Sequence, residues 1–201
     1  KELARMAEMT AAMIVETKKA FLGNDLETAH KVIETDLIIN NLRDKIVKYL
    51  SSIFPVETVT EHQSVTISGL MHVASDIEHI GDNCKDIANF AVDKIAKGYS
   101  FSDSACAEIY QCFDHSSKMV SDSIEALNTG NTLLARHVKE QQEEMADMEE
   151  HLREKHMRRL NKKQCSPEFS VVYTDIVNDL KKIGDNCDNI ANAVLKDINF
   201  R

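Results

Sequence analysis

Two acidic residues, Glu78 and Asp82, lie four positions apart in a stretch whose apolar residues recur with the period of a helix. Residues at this spacing share one helix face, with roughly 5–6 Å between their Cβ atoms. Like charges so placed destabilise a helix by about 0.2–0.5 kcal/mol. Two carboxylates on one face can also share a hard cation, which prefers oxygen ligands. The pair therefore predicts either a cation site or a solvated acidic face, and this helix alone leaves both open.

An internal repeat places the same motif twice in the chain. The sequence IGDNC at 80–84 recurs at 183–187, and eight of the ten positions from 80 to 89 are identical in the second copy. A weaker match at an offset of 106 residues pairs a second set of positions, namely Ala29, Val32 and Glu34 with Ala135, Val138 and Glu140. This self-similarity indicates two copies of one helical unit. Gly81 and Gly184 recur inside the repeated helix, which indicates close helix packing or room for a ligand.

Composition and pattern both indicate a chain of long helices. Only 6 glycines and 2 prolines occur in 201 residues, and no stretch alternates apolar and polar residues as a strand does. Breaks at 23–25, 55, 98–100, 129–131 and 166–167 separate six predicted helices, at about 2–22, 25–51, 58–97, 103–128, 131–162 and 167–198. Asn24 and Glu27 are the predicted capping pair of the second helix. We expect an all-α protein of two tandem three-helix bundles, residues 1–98 and 99–201.

The third helix has two predicted faces. Its core face carries small and aliphatic side chains: Ile77, Ile80, Cys84, Ile87, Ala88 and Ala91. Its opposite face carries a polar stripe, which we expect to point away from the core: Glu78, Asp82, Asn89 and Asp93. Cys84 and its repeat Cys187 are interpreted as small apolar fillers of the core.

Charge and motif content exclude several classes of function. A net charge of −9 argues against binding to nucleic acid and suits a surface that binds cations. Five cysteines without a Cys-x-x-Cys pair indicate a reduced, cytoplasmic setting. No run of 18 apolar residues occurs, so we expect no direct membrane insertion. No phosphate loop, Ser-His-Asp set or zinc spacing is recognisable, so we assign no catalytic residue and expect the chain not to be an enzyme.

Several histidines raise an alternative. Asp76-x-x-His79 and Glu27-x-x-His30 echo the Glu-x-x-His pairs of carboxylate-bridged di-metal enzymes, which also need further carboxylates facing one interior. Three other histidines lie in the charged fifth helix, where we expect them in solvent: His137, His151 and His156. The basic end of that helix, from 153 to 163, is either a solvated terminus or a contact for a membrane surface or an anionic partner.

The stretch DIEHIGDNC at 76–84, together with its second copy, resembles the signature of the PhoU-like phosphate-uptake regulators. The resemblance covers nearly the whole chain, since the repeat, the helix count and the start of the second helix at 25–29 also agree. It implies a PhoU-like fold of two three-helix bundles. It also implies paired acidic motifs, Glu or Asp followed four residues later by Asp, on two helices of each bundle, where clusters of iron or zinc bind.

Carried onto the first bundle, the resemblance implies a metal site. The third-helix motif is intact as Glu78 and Asp82. The second-helix motif falls on Asp36 and Asn40, where Asn replaces the usual Asp. An amide oxygen can still bind a hard cation, but it brings no charge. We therefore expect a metal in the first bundle, most simply iron or zinc.

In the second bundle the motif is incomplete. Asp185 remains, but Lys181 replaces the first carboxylate and is expected to form an ion pair with Asp185. The second-helix counterparts at an offset of 106 are Gln142 and Ala146. The nearest acidic pair with the right spacing lies one residue out of register: Glu143 and Asp147. Asp185 is thus a doubtful ligand, and the second bundle is expected to be degenerate.

The function that the resemblance implies is regulatory. It is a cytoplasmic metal-binding module in phosphate uptake or phosphate signalling, acting through a membrane transporter domain or a phosphate-signalling protein. A narrower resemblance, carried by Tyr49-Leu50 and the opening residues, is to the cytoplasmic C-terminal domain of bacterial sodium/phosphate cotransporters. A homodimer is left open. A metal-free helical interaction or dimerisation module and a di-metal enzyme are the alternatives.

Overall fold

The computed structural model describes residues 1–53, 60–165 and 167–200, the side chains of 167 and 168 excepted. Its helices are, in chain order, α1 Glu2–Gly23, α2 Leu26–Ile53, α3 Glu61–Lys97, α4 Asp103–Thr129, α5 Thr132–Asn161 and α6 Pro167–Leu195. These ranges contain no β-strand, and the all-α prediction is confirmed. Within the same ranges, every helix is too short or too polar to span a bilayer.

The turn between α1 and α2 is built differently from the prediction. Asn24 ends α1 in the left-handed conformation, with φ 53°, and its backbone N–H donates to the carbonyl of Ala20. A helix N-cap needs extended backbone, so Asn24 cannot also cap α2. Asp25 does so instead, because its Oδ1 accepts from the backbone N–H of Thr28 at 3.0 Å. The predicted pairing of Asn24 with Glu27 is therefore wrong.

The start of α3 and the end of α6 also differ from the predicted limits. The helix α3 begins after Thr60, whose side chain forms a capping box with Gln63. The predicted break at Pro55 lies outside the described residues. The helix α6 ends at Leu195, three residues before the predicted end at 198, and Asp197 follows with a left-handed φ of 62°.

The six helices form two three-helix units that share one core. The first unit is α1 to α3 and the second unit is α4 to α6, and within each unit every helix contacts the other two. The units meet where α1 packs on α4 and α3 packs on α6. Phe21 of α1 lies against Phe113 of α4, with ring centroids 6.4 Å apart. Asn189 of α6 donates to Asp76 of α3 at 3.0 Å. The buried apolar residues of both units belong to one continuous cluster.

The repeated helices α3 and α6 lie at the centre of this arrangement. The predicted core face of α3 is confirmed, because each of its members is at most 1% exposed: Ile77, Ile80, Cys84, Ile87, Ala88 and Ala91. Burial raises the pKa of the Cys84 and Cys187 thiols to about 12, which keeps them in the unreactive thiol form. The outer helix α2 packs on α3, and the outer helix α5 packs on α6. Within the polar stripe of α3, Glu78 is buried and Asp82 is half-buried, whereas Asn89 and Asp93 are exposed.

Candidate functional site

Three of the predicted ligands meet where α2 crosses α3. Lys85 joins them, because its Nζ lies 2.5 Å from Oδ1 of Asp82 and 3.4 Å from Oδ2 of Asp36. Asn40, one turn after Asp36 on α2, donates from Nδ2 to Asp36 Oδ2 at 3.1 Å. We call Asp36, Asn40, Asp82 and Lys85 the first-unit cluster. It holds two carboxylates, one amide and one ammonium group.

Two oxygens of the first-unit cluster are buried without a partner. The side chain of Asp36 is 2% exposed, and its Oδ1 accepts no hydrogen bond from any described residue. The Oδ1 of Asn40 is buried and equally without a donor among the described residues. A buried polar atom left unpaired costs about 1–3 kcal/mol, so both oxygens call for a donor or a cation. These oxygens fit the ligand chemistry of a single hard cation.

The glycine of the motif lies beside this unpaired carboxylate oxygen. A Cβ built on Gly81 would lie 3.7 Å from Asp36 Oδ1 and 3.5 Å from Ile39 Cδ1, which are ordinary contact distances. Gly81 is thus not required by close packing, and its missing side chain leaves space next to the carboxylate. The repeated glycine in α6 has another reason. A Cβ on Gly184 would collide with Oε1 of Gln142 and lie 3.3 Å from Sδ of Met119.

The charges of the first-unit cluster are strongly coupled. Burial of Asp36 and the neighbouring Asp82 carboxylate raise the pKa of Asp36, and Lys85 opposes this. Partial burial of Lys85 disfavours its charged form, but the hydrogen bond to Asp82 and the attraction of Asp36 raise its pKa overall. With all three groups ionised, the cluster carries one negative charge more than Lys85 neutralises. A divalent cation in place of the singly charged Lys85 ammonium would remove this excess.

Glu78 does not join the first-unit cluster, although the sequence groups it with Asp82. Its Oε1 lies 3.1 Å from NH2 of Arg43 on α2, and its Oε2 lies 3.5 Å from Nε2 of His79. The expectation that Glu78 points away from the core is wrong, because α2 covers it and leaves its side chain 7% exposed. Sequence reasoning missed Arg43. Its position seven residues after Asp36, on the same face of α2, is the signal that could have indicated it.

The corresponding position in the second unit is filled by the chain itself. Lys181 lies 2.6 Å from Oδ2 of Asp185, as the sequence predicts. Gln142 donates from Nε2 to Oδ1 of the same carboxylate, in agreement with the 106-residue offset. Glu143 and Asp147 lie on the exposed face of α5. One carboxylate oxygen of Asp185 is therefore paired with the ammonium of Lys181, and the other with the amide of Gln142.

The two glycines give a matched test of this difference. We expect Gly184→Ala to lower the free energy of unfolding by about 1 kcal/mol relative to Gly81→Ala. Both variants gain helix propensity, but only at position 184 must Gln142 and Met119 move. Urea denaturation of both variants beside the unsubstituted protein measures this. An equal change in the free energy of unfolding, or a greater loss at position 81, would show that Gly184 is not more tightly packed than Gly81.

The histidines of the di-metal alternative lie apart from one another in solvent. His30 and His79 are on exposed helix faces. Across the described parts of the chain, no group of three or more His, Cys, Asp or Glu side chains is placed to hold a metal ion. The arrangement that a di-metal enzyme requires is therefore not formed by these residues. The two carboxylates and one amide of the first-unit cluster are too few ligands for a multinuclear iron or zinc cluster. Their oxygens fit the ligand chemistry of a single hard cation.

A second buried polar network lies in the other unit. Glu108 of α4 accepts two hydrogen bonds from Arg159 of α5, both at 2.8 Å, and one from the hydroxyl of Tyr173 at 2.7 Å. His156 stacks on Tyr173, with ring centroids 4.5 Å apart, and its Nε2 lies 2.6 Å from Oγ of Ser170. The expectation of a solvated His156 is wrong, since the aromatic ring of α6 covers it. Burial and the nearby Arg159 lower the His156 pKa, which favours the neutral ring.

Comparison with known proteins gives concordant results. The family model of the PhoU domain matches residues 3–91 and 109–194. A curated Thermotoga maritima protein, the phosphate-specific transport system accessory protein PhoU homolog 1, is 25% identical over 167 residues, which are 83% of this chain and 71% of that protein.

Two solved structures have a similar fold. The crystal structure of PhoU from Pseudomonas aeruginosa superposes with a TM-score of 0.91 at 20% identity, over 96% of this chain and 92% of that one. The phosphate transport system regulatory protein PhoU from Streptococcus pneumoniae gives a TM-score of 0.83 at 18% identity, over 96% and 90%. Together they confirm the predicted arrangement of two three-helix units.

Proposed function

Because the chain belongs to the PhoU domain family, a family of phosphate transport regulators, we propose that it regulates phosphate uptake by contacting another protein. The observation that carries this proposal is the family match in two segments, residues 3–91 and 109–194, one in each three-helix unit. The curated relative, by its name, is an accessory protein of a phosphate-specific transport system. The partner that we propose is accordingly a membrane transporter domain or a phosphate-signalling protein.

The setting that we propose is the cytoplasmic face of a phosphate transporter. Free cysteines, three of them buried, agree with a reduced compartment. The narrower possibility from the sequence, a domain of a sodium/phosphate cotransporter, would place the same two units on the transporter chain itself. In both cases the action is binding, and we assign no catalytic residue.

We further propose that the first unit binds one cation through Asp36, Asn40 and Asp82. All three offer oxygen, which favours a hard cation such as Mn²⁺, Mg²⁺ or iron over zinc, whose usual ligands are nitrogen and sulfur. When bound, such a cation would supply positive charge on an otherwise acidic surface, where a phosphate group could bind. Glu78 is satisfied by Arg43, and Asp185 by Lys181 and Gln142, so neither is proposed as a ligand.

A metal-free interaction module remains the second candidate, and one observation favours it. The chain supplies its own cations to the carboxylates of both motifs: Lys85 to Asp36 and Asp82, and Lys181 to Asp185. These lysines reduce the repulsion between the motif carboxylates, which a bound metal would otherwise relieve. Elemental analysis of protein purified without chelator or affinity metal, beside an Asp36→Ala/Asp82→Ala variant, separates the two candidates.

The partner itself is tested in cells. The tagged chain is cross-linked in its native host at high and at low external phosphate, and captured proteins are identified by mass spectrometry. We expect a phosphate transporter or a phosphate-signalling protein to be enriched over an unrelated helical bait with the same tag. Capture that contains neither class of protein under both conditions would contradict the proposed function.

A further inference from the structure

We propose that Lys85 is a built-in competitor for the cation site of the first unit, so that a metal binds only when this side chain leaves. This inference rests on the proposed cation site and concerns how its occupancy is controlled. Lys85 lies outside the acidic motif. Its ammonium nevertheless occupies the position between the two carboxylates, 2.5 Å from Asp82 and 3.4 Å from Asp36.

The geometry makes the two cations mutually exclusive. A hard cation binds carboxylate oxygens at about 2.0–2.6 Å, so an ion shared by Asp36 and Asp82 would take the place of the Lys85 Nζ. Two positive charges at that separation repel strongly in a half-buried site. The Oδ1 atoms of Asp36 and Asn40 have no partner while Lys85 is in place, so they are ready to bind a metal once it leaves. The site is thus preformed but blocked at its centre.

Lys85 is placed so that it can leave without moving the backbone. It lies three residues after Asp82 on the same helix, and its side chain is 28% exposed. A lysine has a long, rotatable stem, which lets the ammonium swing from the carboxylates into water. A turn of side-chain torsions therefore opens the site, and the helices α2 and α3 keep their packing.

The two copies of the repeat differ at this position. The motif IGDNC is identical in both units, but the residue that follows it is Lys85 in the first and Asp188 in the second. In the second unit Lys181 neutralises the motif Asp from the preceding helical turn. Each unit thus places one lysine on its motif Asp, from opposite directions along the helix. In the first unit alone, the removal of that lysine leaves two carboxylates and an amide facing one space.

Competition of this kind has a measurable size. If Lys85 holds the carboxylates in about nine molecules of ten, the apparent affinity for metal is about tenfold weaker than that of the open site. Removing the ammonium while keeping the apolar stem should restore the full affinity. The predicted effect is a change in the dissociation constant for metal, with the fold unchanged.

The test is a titration of Lys85→Met with Mn²⁺, in which electron paramagnetic resonance measures the concentration of the unbound ion. We expect Lys85→Met to bind one Mn²⁺ with a dissociation constant about tenfold lower than that of the unsubstituted protein. Lys182→Met is the matched control, because Lys182 forms the same type of ion pair, 2.9 Å from Asp179 three residues earlier on α6. It should leave Mn²⁺ binding unchanged. Adding Asp82→Asn to Lys85→Met should abolish binding.

Two contrary results are distinguishable. Equal Mn²⁺ affinity in Lys85→Met and the unsubstituted protein would overturn the competition and leave the cation site intact. No Mn²⁺ binding by either protein would overturn the cation site and the competition together. Lys85→Gln, which retains a hydrogen-bond donor for Asp36 and Asp82, is measured in parallel, and circular dichroism checks that each variant is folded. If Lys85→Met does not fold, a lower dissociation constant for Mn²⁺ is expected of Lys85→Gln instead.

Discussion

Replacing Glu108 by alanine is expected to lower the free energy of unfolding by about 3–5 kcal/mol. The substitution removes an almost fully buried carboxylate that accepts two hydrogen bonds from Arg159 and one from Tyr173. The guanidinium of Arg159, itself only 17% exposed, then lacks its partner. An unpaired charge of this kind is a large cost, whereas the intact pair adds little compared with apolar packing. Urea denaturation at neutral pH measures the difference.

An exposed ion pair on α5, the helix that carries Arg159, serves as the control. Glu154 and Arg158 are 3.2 Å apart, but their side chains are 58% and 70% exposed. Glu154→Ala should therefore cost about 0.5 kcal/mol or less, as exposed pairs do. Similar losses in the two variants would show that the Glu108 network is not buried as described.

The same network has a defined pH dependence. Burial raises the pKa of Glu108, but the hydrogen bonds from Arg159 and Tyr173 outweigh it, and the pKa falls below its usual value of 4.5. A carboxyl group whose pKa is lowered on folding stabilises the protein above its unfolded pKa and loses that contribution as the pH falls through its folded pKa. The stability gap between the unsubstituted protein and Glu108→Ala should therefore shrink below about pH 4.5. A gap that widens on acidification would contradict this sign.

Phe21→Ala is expected to cost about 3–5 kcal/mol and to destabilise both three-helix units together. The ring is 1% exposed and lies between the units, with centroids 6.0 Å from Phe101 and 6.4 Å from Phe113. The buried ammonium of Lys94 lies 4.5 Å from its centroid and loses this contact as well. Because one core joins the units, unfolding should remain a single transition at a lower urea concentration.

Val15→Ala on the same helix is the control, since Val15 is 59% exposed and should lose less than about 0.5 kcal/mol. Circular dichroism reports all helices, and the near-ultraviolet signal of the tyrosines reports their packing. Two separate transitions in Phe21→Ala would show that the units are independent domains. A loss no greater than that of Val15→Ala would show that the ring does not lie in the core.

Much of the fold could be predicted from the sequence because the residues that end its helices are recognisable locally. A few glycine-containing turns separate long periodic stretches, and periodicity identified the core face of α3 correctly. The error at Asn24 arose from two residues that each suit a cap. Only the three-dimensional path of the chain decides that Asn24 ends α1 and Asp25 begins α2. That the two units share one core could not be seen from a repeat alone, because a repeat does not show how its copies pack.

The candidate site was predictable in part for a related reason. The repeat and the family resemblance together indicated Asp36, Asn40 and Asp82, which the structure brings together. A helical wheel describes one helix and cannot show which face a neighbour will cover, so the burial of Glu78 against Arg43 was missed. His156 was missed in the same way, because its neighbours in the sequence are charged but its neighbour in space is Tyr173. Lys85 was passed over because it stands outside the repeated motif.

The initial rate of radiolabelled phosphate uptake by cells is the most direct test of whether the chain regulates phosphate uptake. Cells of the native host that lack the chain are compared with the same cells carrying it on a plasmid, at high and at low external phosphate. We expect the rate and its response to external phosphate to change when the chain is removed and to return when it is restored. Identical uptake with and without the chain under both conditions would contradict the proposed regulatory function.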